Sequence, residues 1–483
     1  MIDTVAVNWT AVEPILPELL LISIGVLLIG CDLFLPRQRH LLPWLTVVGC
    51  LTALAMVLGT QFTTAFGGMF LADGYAMVFK AICLGAVILT TLMSEQFCRV
   101  IGLRQGEYYS LLLFSLVGML LMASAGDLMV LYLGLELMAL PIYALVGLHK
   151  REQRTSEAAI KYFLMGGFAS ALLLFGMSLL YGLTGTTEIA RIAELIASRQ
   201  LSANPALLAA LGLLLAGCCF KIAAAPFHFW TPDVYEGAPT IVTAFMSVGP
   251  KAAGFALFGR VLFLGLPQLH DHWGPILAVL ALLTMAVGNI TALCQQSLKR
   301  MLAYSSIAHA GYALLGLLAG TAEGLAATMT YLVIYLFMNL GAFAILMLLA
   351  APGEPRESLE DCKGLATRHP VAAALMLVFL FSLTGIPPTG GFIGKFYLLK
   401  AAFAAGYTLT VVGAVLFSAI SAYFYLRVVR YMYMNEPKET AALVVTPGMA
   451  TGLGLCVLAV IGLGISPSFL LDWMITAFPG GLY

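Results

Sequence analysis

Four charged residues lie inside apolar runs of the sequence, where a charge is costly. They are Glu136 in LYLGLELMALPIY, Lys221 in AGCCFKIAAAPFHFW, Lys251 in SVGPKAAGFALF and Lys395 in GGFIGKFYLLK. Burial in a low-dielectric medium disfavours the charged form of a glutamate or a lysine, whereas a nearby opposite charge favours it. A buried lysine that faces a buried glutamate can therefore change its protonation state after a small change in distance, and the two titrate as a coupled unit. These residues predict proton transfer.

Two histidines are weaker candidates for the same chemistry. His309, in YSSIAHAGYALL, lies inside an apolar segment, and His228 lies among several prolines in APFHFWTPDVYEGAP. Since imidazole titrates near neutral pH, either ring could relay a proton. For each of them, an interior histidine that is hydrogen-bonded and takes no part in transfer is an equally good interpretation.

The elements that place these residues must be membrane-spanning helices. Hydrophobic residues make up 61% of the 483 residues and charged residues only 10%, against about 25% charged in a soluble domain. Apolar runs of about 20 residues, long enough to cross a bilayer, recur from end to end. We count fourteen of them. The sequence therefore predicts an all-α polytopic membrane protein with about 14 transmembrane helices, surrounded by membrane lipid.

The composition argues against several other classes of function. The formal net charge is zero, so no basic surface for nucleic acid is expected. The nine cysteines are scattered and form no C-x-x-C pair, which disfavours iron–sulfur and structural zinc sites. No G-x-G-x-x-G follows a strand pattern, and no Walker lysine motif is present. We expect this chain to hold no cofactor and no metal.

The charges of the loops predict the orientation in the membrane. One alternate set of loops and helix ends holds fourteen Lys and Arg residues, from Arg37 to Lys438, and the other set holds only Arg191 and Arg199. By the positive-inside rule the first set is cytoplasmic. Both termini are then expected on the outer side.

Two spans contain breaks rich in proline and glycine. The seventh leads into APFHFWTPDVYEGAP, and the twelfth is interrupted by TGIPPTGG. Such residues remove helix hydrogen bonds, and the freed backbone groups need protein or water around them. If spans four to eight and nine to thirteen form two units, each broken span is the fourth of its unit, and the odd helix number inverts the second unit. Broken helices at matching positions of inverted repeats indicate an ion-handling site. Two unrelated proline kinks are the simpler alternative.

This grouping divides the chain into four parts. We predict three transmembrane helices in residues 1–107, a first five-helix repeat in residues 108–270 and an inverted second five-helix repeat in residues 271–435. A last transmembrane helix follows in residues 436–483. Each repeat is expected to contain one discontinuous helix.

The cost of the four charges favours a functional interpretation. Each costs about 2.5–3.5 kcal/mol at the centre of a span, or on the order of 10–14 kcal/mol for four. A fixed Lys221–Glu136 ion pair that only locks two helices is the structural alternative. It explains Lys251 and Lys395 poorly, because no acid remains for them near the middle of the membrane.

Other charged residues are expected to be structural or hydrated. Lys80 and Arg260, in the outer thirds of their spans, are predicted to snorkel to the surface. Lys161 and Glu157 are expected to form a surface ion pair, and Asp127 is expected to cap a helix.

The sequence resembles the antiporter-like subunits of respiratory complex I. The resemblance is carried by LGLELMALPIYALVG, FKIAAAPFHFWTPDVYEGAP, SLKRMLAYSSIAHAGY and GIPPTGGFIGKFYLL, and it is dense from about residue 108 to residue 433. In that family the glutamate of the fifth span pairs with the lysine of the seventh. A lysine of the eighth span and a lysine or glutamate of the twelfth complete a proton path. The resemblance assigns these roles to Glu136, Lys221, Lys251 and Lys395.

Further features are similar to one branch of this family, which occurs in bacteria. The twelfth span carries lysine (Lys395), no long lateral helix follows span fourteen, and FHFWTPDVYEGAP has valine after its aspartate. Three spans precede the repeats, as in bacterial and plastid versions. The resemblance thus implies a multi-pass protein of the bacterial inner membrane, with both termini on the periplasmic side.

The resemblance also implies a set of partners and cofactors. The chain would lie beside subunits M, K, J and A in the membrane arm of NADH:quinone oxidoreductase, a proton-pumping translocase. NADH, FMN, iron–sulfur clusters and quinone would be bound by partner subunits. Their redox chemistry would drive proton movement here, while this chain carries no redox centre of its own.

Three other functions remain as alternatives. The chain could belong to a multi-subunit cation/proton antiporter of the Mrp type, without redox coupling. It could be a subunit of a related redox complex, such as a membrane-bound hydrogenase or a plastid-type dehydrogenase. A structural scaffold is the third alternative, and it predicts that neutralising the buried charges does no harm.

Overall fold

The computed structural model describes residues 12–150, 152–350, 356–437 and 443–477. In these ranges thirteen helical stretches are long and apolar enough to cross a membrane, and the apolar helix Pro370–Thr384 is shorter. The fourteen predicted spans correspond to these thirteen stretches and to one span made of two half-helices. The prediction of an all-α polytopic membrane protein is confirmed.

The helices follow one another with short connections. The first six spans are α1 (Leu16–Phe34), α2 (Leu42–Gly59), α3 (Gly74–Val100), α4 (Gln105–Ala123), α5 (Leu128–Val146) and α6 (Gln153–Thr184). A short helix, α7 (Ile189–Ser198), precedes the seventh span, α8 (Pro205–Ile222) with α9 (Trp230–Gly237), and the eighth, α10 (Thr240–Met246) with α11 (Gly249–Gly259). Next come α12 (His270–Leu293), α13 (Leu298–Leu318) and α14 (Ala322–Leu349). The chain continues through α15 (Leu365–Arg368), α16 (Pro370–Thr384), α17 (Gly390–Ala404), α18 (Thr408–Met434), α19 (Pro447–Ile465) and α20 (Ser468–Thr476).

The seventh span is broken where the sequence predicts. After α8, Ala223 adopts a left-handed conformation with φ 61°, and the Ala225–Pro226 peptide bond is cis. The Trp230 indole donates to the Phe220 carbonyl at 3.1 Å, and the Ala225 amide donates to Thr284 Oγ1 at 2.9 Å. Protein groups thus satisfy part of the backbone that the break leaves open, as a break inside a bilayer requires.

The twelfth span is also broken as predicted, between α16 and α17. Gly385 ends α16 with φ 91°, a conformation that favours glycine. At Gly391 a Cβ atom would lie 1.8 Å from the Ser382 carbonyl oxygen, so the two half-helices meet closely only because this residue has no side chain. The Gly391 amide donates to Ser382 Oγ at 3.1 Å.

The eighth span has a discontinuity that the sequence analysis missed. Helix α10 ends at Met246, and α11 begins at Gly249 with Pro250 in its first turn. Proline at this position suits the start of a helix, since its missing N–H would have no partner there. The span ends in a π-helical turn, Arg260–Gly265.

The eighth, tenth and eleventh spans form the centre of the bundle. The most apolar 18-residue window of Thr240–Gly265 is 100% buried, and the corresponding windows of α13 and α14 are 94% and 89% buried. In α18 the corresponding figure is 28%. Side chains of the central spans therefore face protein on all sides, which is where charged groups can be kept from lipid.

Two helix starts share the same backbone contacts, 170 residues apart. The Leu128 amide donates to the Thr187 carbonyl at 2.9 Å, and the Ile189 amide donates to the Gly126 carbonyl at 3.0 Å. Likewise, the Leu298 amide donates to the Glu357 carbonyl at 2.7 Å, and the Leu359 amide donates to the Gln296 carbonyl at 3.0 Å. Helices α5 and α13 thus begin at equivalent contacts.

Lys80 and Arg260 do not snorkel, so that prediction was wrong. The Lys80 side chain is 4% exposed and lies 2.7 Å from the Glu18 carboxylate of α1. The Arg260 side chain is 1% exposed, and it donates two hydrogen bonds of 2.7 Å to Asp73. An acidic partner beside each cation offsets part of the cost of burying it.

The remaining structural expectations for charged residues are confirmed. Lys161 lies 2.8 Å from Glu157 and 3.1 Å from Asp233, with all three side chains at least 42% exposed. Asp127 caps α5 by accepting from the Met129 amide. A small hairpin, β1 (Thr63–Ala65) with β2 (Phe70–Ala72), pairs antiparallel with Thr63 opposite Ala72, and it was not predicted.

Candidate proton-transfer site

Glu136 and Lys221 face each other without closing into an ion pair. Lys221 lies in the last turn of α8 and is 5% exposed. The negative charge of Glu136 acts on it, yet none of the ion pairs within 4 Å in the described ranges joins the two. Lys221 Nζ and Glu136 Oε1 are buried without a hydrogen-bond partner. The two charges thus interact without the direct contact of an ion pair.

The break of the seventh span explains why Lys221 is tolerated. The C-terminal carbonyl groups of a helix carry a partial negative charge that stabilises a cation in the last turn. Lys221 is followed by only one more residue of α8 before the helix ends. The broken span thus places the free carbonyl groups of a helix end inside the protein, close to Lys221. An unbroken span would have no free carbonyl groups at this point.

Lys251 is held by neutral groups of the tenth span. It lies in the first turn of α11 and is 3% exposed. Its ammonium donates to the Ser306 carbonyl oxygen at 2.7 Å and also to Ser306 Oγ. A Cβ placed on Gly254, one turn further along α11, would lie 3.6 Å from Lys221 Cβ. Lys251 and Lys221 therefore lie about one helical turn apart along the contact between α8 and α11.

His309 lies in a ring of tyrosines on three helices. Its Nδ1 is hydrogen-bonded to the Tyr331 hydroxyl of α14, and its Nε2 to the Tyr425 hydroxyl of α18 at 3.1 Å. The charges of both Lys251 and Lys395 act on this ring. A neutral imidazole has one donor and one acceptor nitrogen, and hydroxyl groups can serve both. This arrangement suits a relay.

Lys395 takes two of its partners from the opposite half of its own broken span. Its ammonium donates to the carbonyl oxygens of Leu383 at 3.1 Å and Thr384 at 2.8 Å, and to Ser418 Oγ at 3.1 Å. It also lies 4.6 Å from the centre of the Tyr312 ring, within the range of a cation–π contact. Leu383 and Thr384 end α16, so this lysine, like Lys221, is stabilised at the C-terminus of a half-helix.

Helix α13 connects these groups. Ser306, His309 and Tyr312 follow at intervals of three residues, and such positions lie on one face of a helix. In order, they contact Lys251, the two tyrosines, and Lys395. His309 was predicted from the sequence, whereas Ser306, Tyr312, Tyr331 and Tyr425 were not. The spacing S-x-x-H-x-x-Y in SSIAHAGY is the signal that was available for the first two.

His228 is not brought to this row of residues. Its ring lies 4.6 Å from the ring of Phe229, beside the break of the seventh span. Its Nδ1 is buried without a partner, and no hydrogen bond or ion pair among the described residues joins it to Lys221, Lys251 or His309. The described ranges also contain no group of three or more His, Cys, Asp or Glu side chains arranged to hold a metal.

Comparisons with known proteins show the family of this chain. Residues 125–421 match the family described as NADH:quinone oxidoreductase/Mrp antiporter, TM. NADH-quinone oxidoreductase subunit N of Desulfovibrio desulfuricans is 58% identical over 479 residues, covering 95% of each chain.

Solved structures show the same fold. A chain of respiratory complex I from Thermus thermophilus, determined with bound aureothin, is 36% identical with a TM-score of 0.81, covering 94% of this chain and 98% of that one. A chain of the Mrp complex from Dietzia sp. has a TM-score of 0.82 and covers 97% of both chains, but at 21% identity it shows the fold alone. The chain therefore belongs to the NADH-quinone oxidoreductase subunit N family, whose members are multi-pass inner-membrane subunits of bacterial complex I.

Proposed function

We propose that this chain moves protons across the inner membrane, as a subunit of NADH-quinone oxidoreductase, through Glu136, Lys221, Lys251 and Lys395. The observation that carries the proposal is the nature of the partners of the last two lysines. Lys251 and Lys395 are held by hydroxyl groups and backbone carbonyls, not by carboxylates. A lysine with neutral partners can release its proton without leaving an unpaired carboxylate behind, and such a group would be costly in a buried site.

The open pair of Glu136 and Lys221 is the proposed switch. When Glu136 moves closer, it stabilises the proton on Lys221, and when it moves away, the proton is released. From Lys251 the proton passes along α13 to His309 and then to Lys395. His309 acts as the relay, and His228 is kept as a weaker candidate for such a role in the first half of the path.

Redox chemistry in other subunits of the complex supplies the energy. We propose that NADH, FMN, iron–sulfur clusters and quinone are bound there, and that subunits M, K, J and A are the neighbours of this chain. Both termini are proposed to face the periplasm. Of the fourteen basic residues behind that orientation, Arg151 and Lys438 lie outside the described residues.

The division into two inverted five-helix repeats, residues 108–270 and 271–435, is part of the proposal. The matching backbone contacts at the starts of α5 and α13 support it, since these are the second helices of the two units. The breaks at Ala223 and Gly385 support it as well, because each ends the first half of a fourth helix.

Replacing Lys221 with methionine tests the proposal. The variant is first checked by native gel for assembly of the complex in its own membrane. Inhibitor-sensitive NADH oxidation and proton uptake are then measured in inverted vesicles, with Lys161→Met, at an exposed ion pair, as the control. We expect both rates to fall by at least about ten-fold in Lys221→Met and to remain near wild type in the control.

Two outcomes would contradict the proposal. Unchanged pumping in an assembled Lys221→Met complex would show that the buried charges are structural. Unchanged NADH-driven pumping with a loss of sodium tolerance would instead favour an antiporter of the Mrp type.

A further inference from the structure

A buried ion pair outside the row of transfer residues lies where the eighth span begins. The Lys299 side chain is 3% exposed, and its ammonium lies 2.7 Å from the Glu357 carboxylate. It also donates to the carbonyl oxygens of Glu236 at 3.1 Å and Ala238 at 2.7 Å. The Thr240 hydroxyl donates to the same Glu357 carboxylate at 2.6 Å. One ion pair thus joins α9, α10, α13 and the segment that follows α14.

A cavity of about 310 Å³ lies against this ion pair. That is many times the roughly 10–15 Å³ that one water molecule requires. The cavity reaches water at His149 and Glu152, whose side chains are 33% and 52% exposed. Its titratable and charged lining consists of His149, Glu152, Arg154, Glu236, Lys299 and Glu357. The positive-inside rule places this end of the bundle at the cytoplasm.

The backbone hydrogen bonds at this point do not require the ion pair. The backbone contacts that fix Glu357 to the start of α13 recur at Thr187 and the start of α5. At the start of α5, Met129 stands at the position equivalent to Lys299, and Thr187 stands at the position equivalent to Glu357. The same backbone hydrogen bonds therefore form there without an ion pair. A buried charge pair adds little net stability. The ion pair is present at only one of these two equivalent backbone contacts, which indicates that it has a role besides packing.

Polar side chains lead from the ion pair towards Lys251. Thr240, Thr243 and Ser247 lie at positions i, i+3 and i+7 of the eighth span, which is one face of a helix, and all three are buried. Asn339 of α14 donates to Ser247 Oγ at 2.6 Å, and its Oδ1 is buried without a partner. Lys251 follows Ser247 by four residues, across the discontinuity of the span at Val248.

We propose that Glu357 and Lys299 form a protonatable gate between the cytoplasmic cavity and Lys251. This inference rests on the function proposed above. Glu357 accepts a proton from a hydronium ion in the cavity, which leaves a water molecule there, and neutralisation of its carboxylate weakens the ion pair with Lys299. The neutral carboxyl group then gives its proton to the Thr240 hydroxyl, which passes its own proton on towards Lys251 once Lys251 has released one. Glu357 returns to the carboxylate form, which closes the ion pair again.

Replacing Glu357 with glutamine tests the gate in the assembled complex. We expect proton uptake by inverted vesicles, whose cytoplasmic face is exposed, to fall by at least about ten-fold. Glu357→Asp keeps a titratable group and should retain most of the rate. Glu360→Gln is the matched control in the same turn, because Glu360 pairs only with the partly exposed Lys363 in the described residues.

The exchanged pair Lys299→Glu/Glu357→Lys distinguishes a gate from an ion pair that is purely structural. It restores an ion pair but places an ammonium where the gate needs a carboxylate. We expect pumping to stay low in the assembled complex, whereas wild-type pumping in the exchanged pair would overturn the proposal.

Thr240 provides a second probe if Glu357→Gln does not assemble. The exposed Cys294 is kept as a reference thiol, because the thiolate fraction that reacts with maleimide falls with pH for both cysteines. Relative to Cys294, Thr240→Cys should react with a membrane-impermeant maleimide at least several-fold faster at low pH than at high pH. An equal ratio of the two rates at both pH values would overturn the gate. Lys221→Met is measured in parallel. If it still pumps, the proposed function itself fails. If only the Glu357 variants behave as wild type, the gate alone fails.

Discussion

Lys251 donates to Ser306, and Ser306 occupies in α13 the place that Glu136 occupies in α5. Both residues are the ninth of their helix, 170 positions apart. The acid of the first site thus has a neutral counterpart in the second. A lysine of the eighth span binds that counterpart across the proposed boundary between the two repeats. The two halves therefore differ in how firmly they can hold a proton.

Placing an acid at position 306, as at the equivalent position 136, should block proton transfer. In Ser306→Asp a carboxylate would lie beside the Lys251 ammonium, and attraction between opposite charges is strong where the effective dielectric constant is low. The proton would then stay on Lys251. We expect proton uptake in inverted vesicles to fall by at least about ten-fold. Ser306→Ala keeps the backbone carbonyl acceptor and should change the rate by about two-fold or less. Equal rates in the two variants would contradict the prediction.

The two histidines should respond differently to the same substitution. His309→Gln removes a titratable ring that bridges Tyr331 and Tyr425, so we expect pumping to fall at least about ten-fold. His228→Gln is the matched comparison. In the described residues His228 has no hydrogen bond to the row on α13, and its replacement should lower pumping less than that of His309. A larger loss in His228→Gln than in His309→Gln would reverse our assignment of the relay.

The close approach of the half-helices at Gly391 should not tolerate a methyl group. In Gly391→Ala the new Cβ would meet the Ser382 carbonyl oxygen at 1.8 Å. Overpacking of this kind costs about 1–3 kcal/mol or more, and we expect the amount of assembled complex on native gels to fall. Gly462→Ala in α19 is the control, since no atom lies within 4 Å of its added Cβ. Normal assembly of both variants would show that the break is more adaptable than its geometry indicates.

Removing one charge of the Glu18–Lys80 ion pair should destabilise the protein more than removing both charges. Lys80→Met leaves the Glu18 carboxylate buried without its cation, and breaking a buried ion pair typically costs about 3–5 kcal/mol. We expect a lower melting temperature of the purified complex or a loss of assembly. Lys80→Met/Glu18→Gln removes both charges and should recover most of the lost stability. If the double variant is as unstable as the single one, the contact matters for shape and not for charge.

The charged residues of the site were visible in the sequence, whereas their partners were not. A lysine or glutamate inside an apolar run is conspicuous, because composition alone marks it as costly there. The neutral partners of Lys251 and His309 carry no such signal. Serine and tyrosine are ordinary residues of membrane helices, and Tyr331 and Tyr425 reach His309 from helices far along the chain.

The wrong prediction for Lys80 has the same origin. Depth in the membrane can be read from sequence position, but the helix that faces a side chain cannot. Glu18 lies 62 positions before Lys80, and the two meet because α1 and α3 both pack against α2 and α4. The break in the eighth span was missed because a single Ser-Val-Gly-Pro sequence is a weaker signal than the double prolines and glycines of the twelfth.

The row of contacts along α13 has an electrical consequence. Lys251 lies at the level of Ser306 and Lys395 at the level of Tyr312, and six residues of helix span about 9 Å. For a helix that crosses the bilayer, this is about a third of the roughly 30 Å hydrocarbon core. A proton that moves from one lysine to the other therefore performs electrical work of about 0.7 kcal/mol against each 100 mV of membrane potential. The voltage across the membrane opposes outward transfer at this step, and it does so inside the protein, far from either surface.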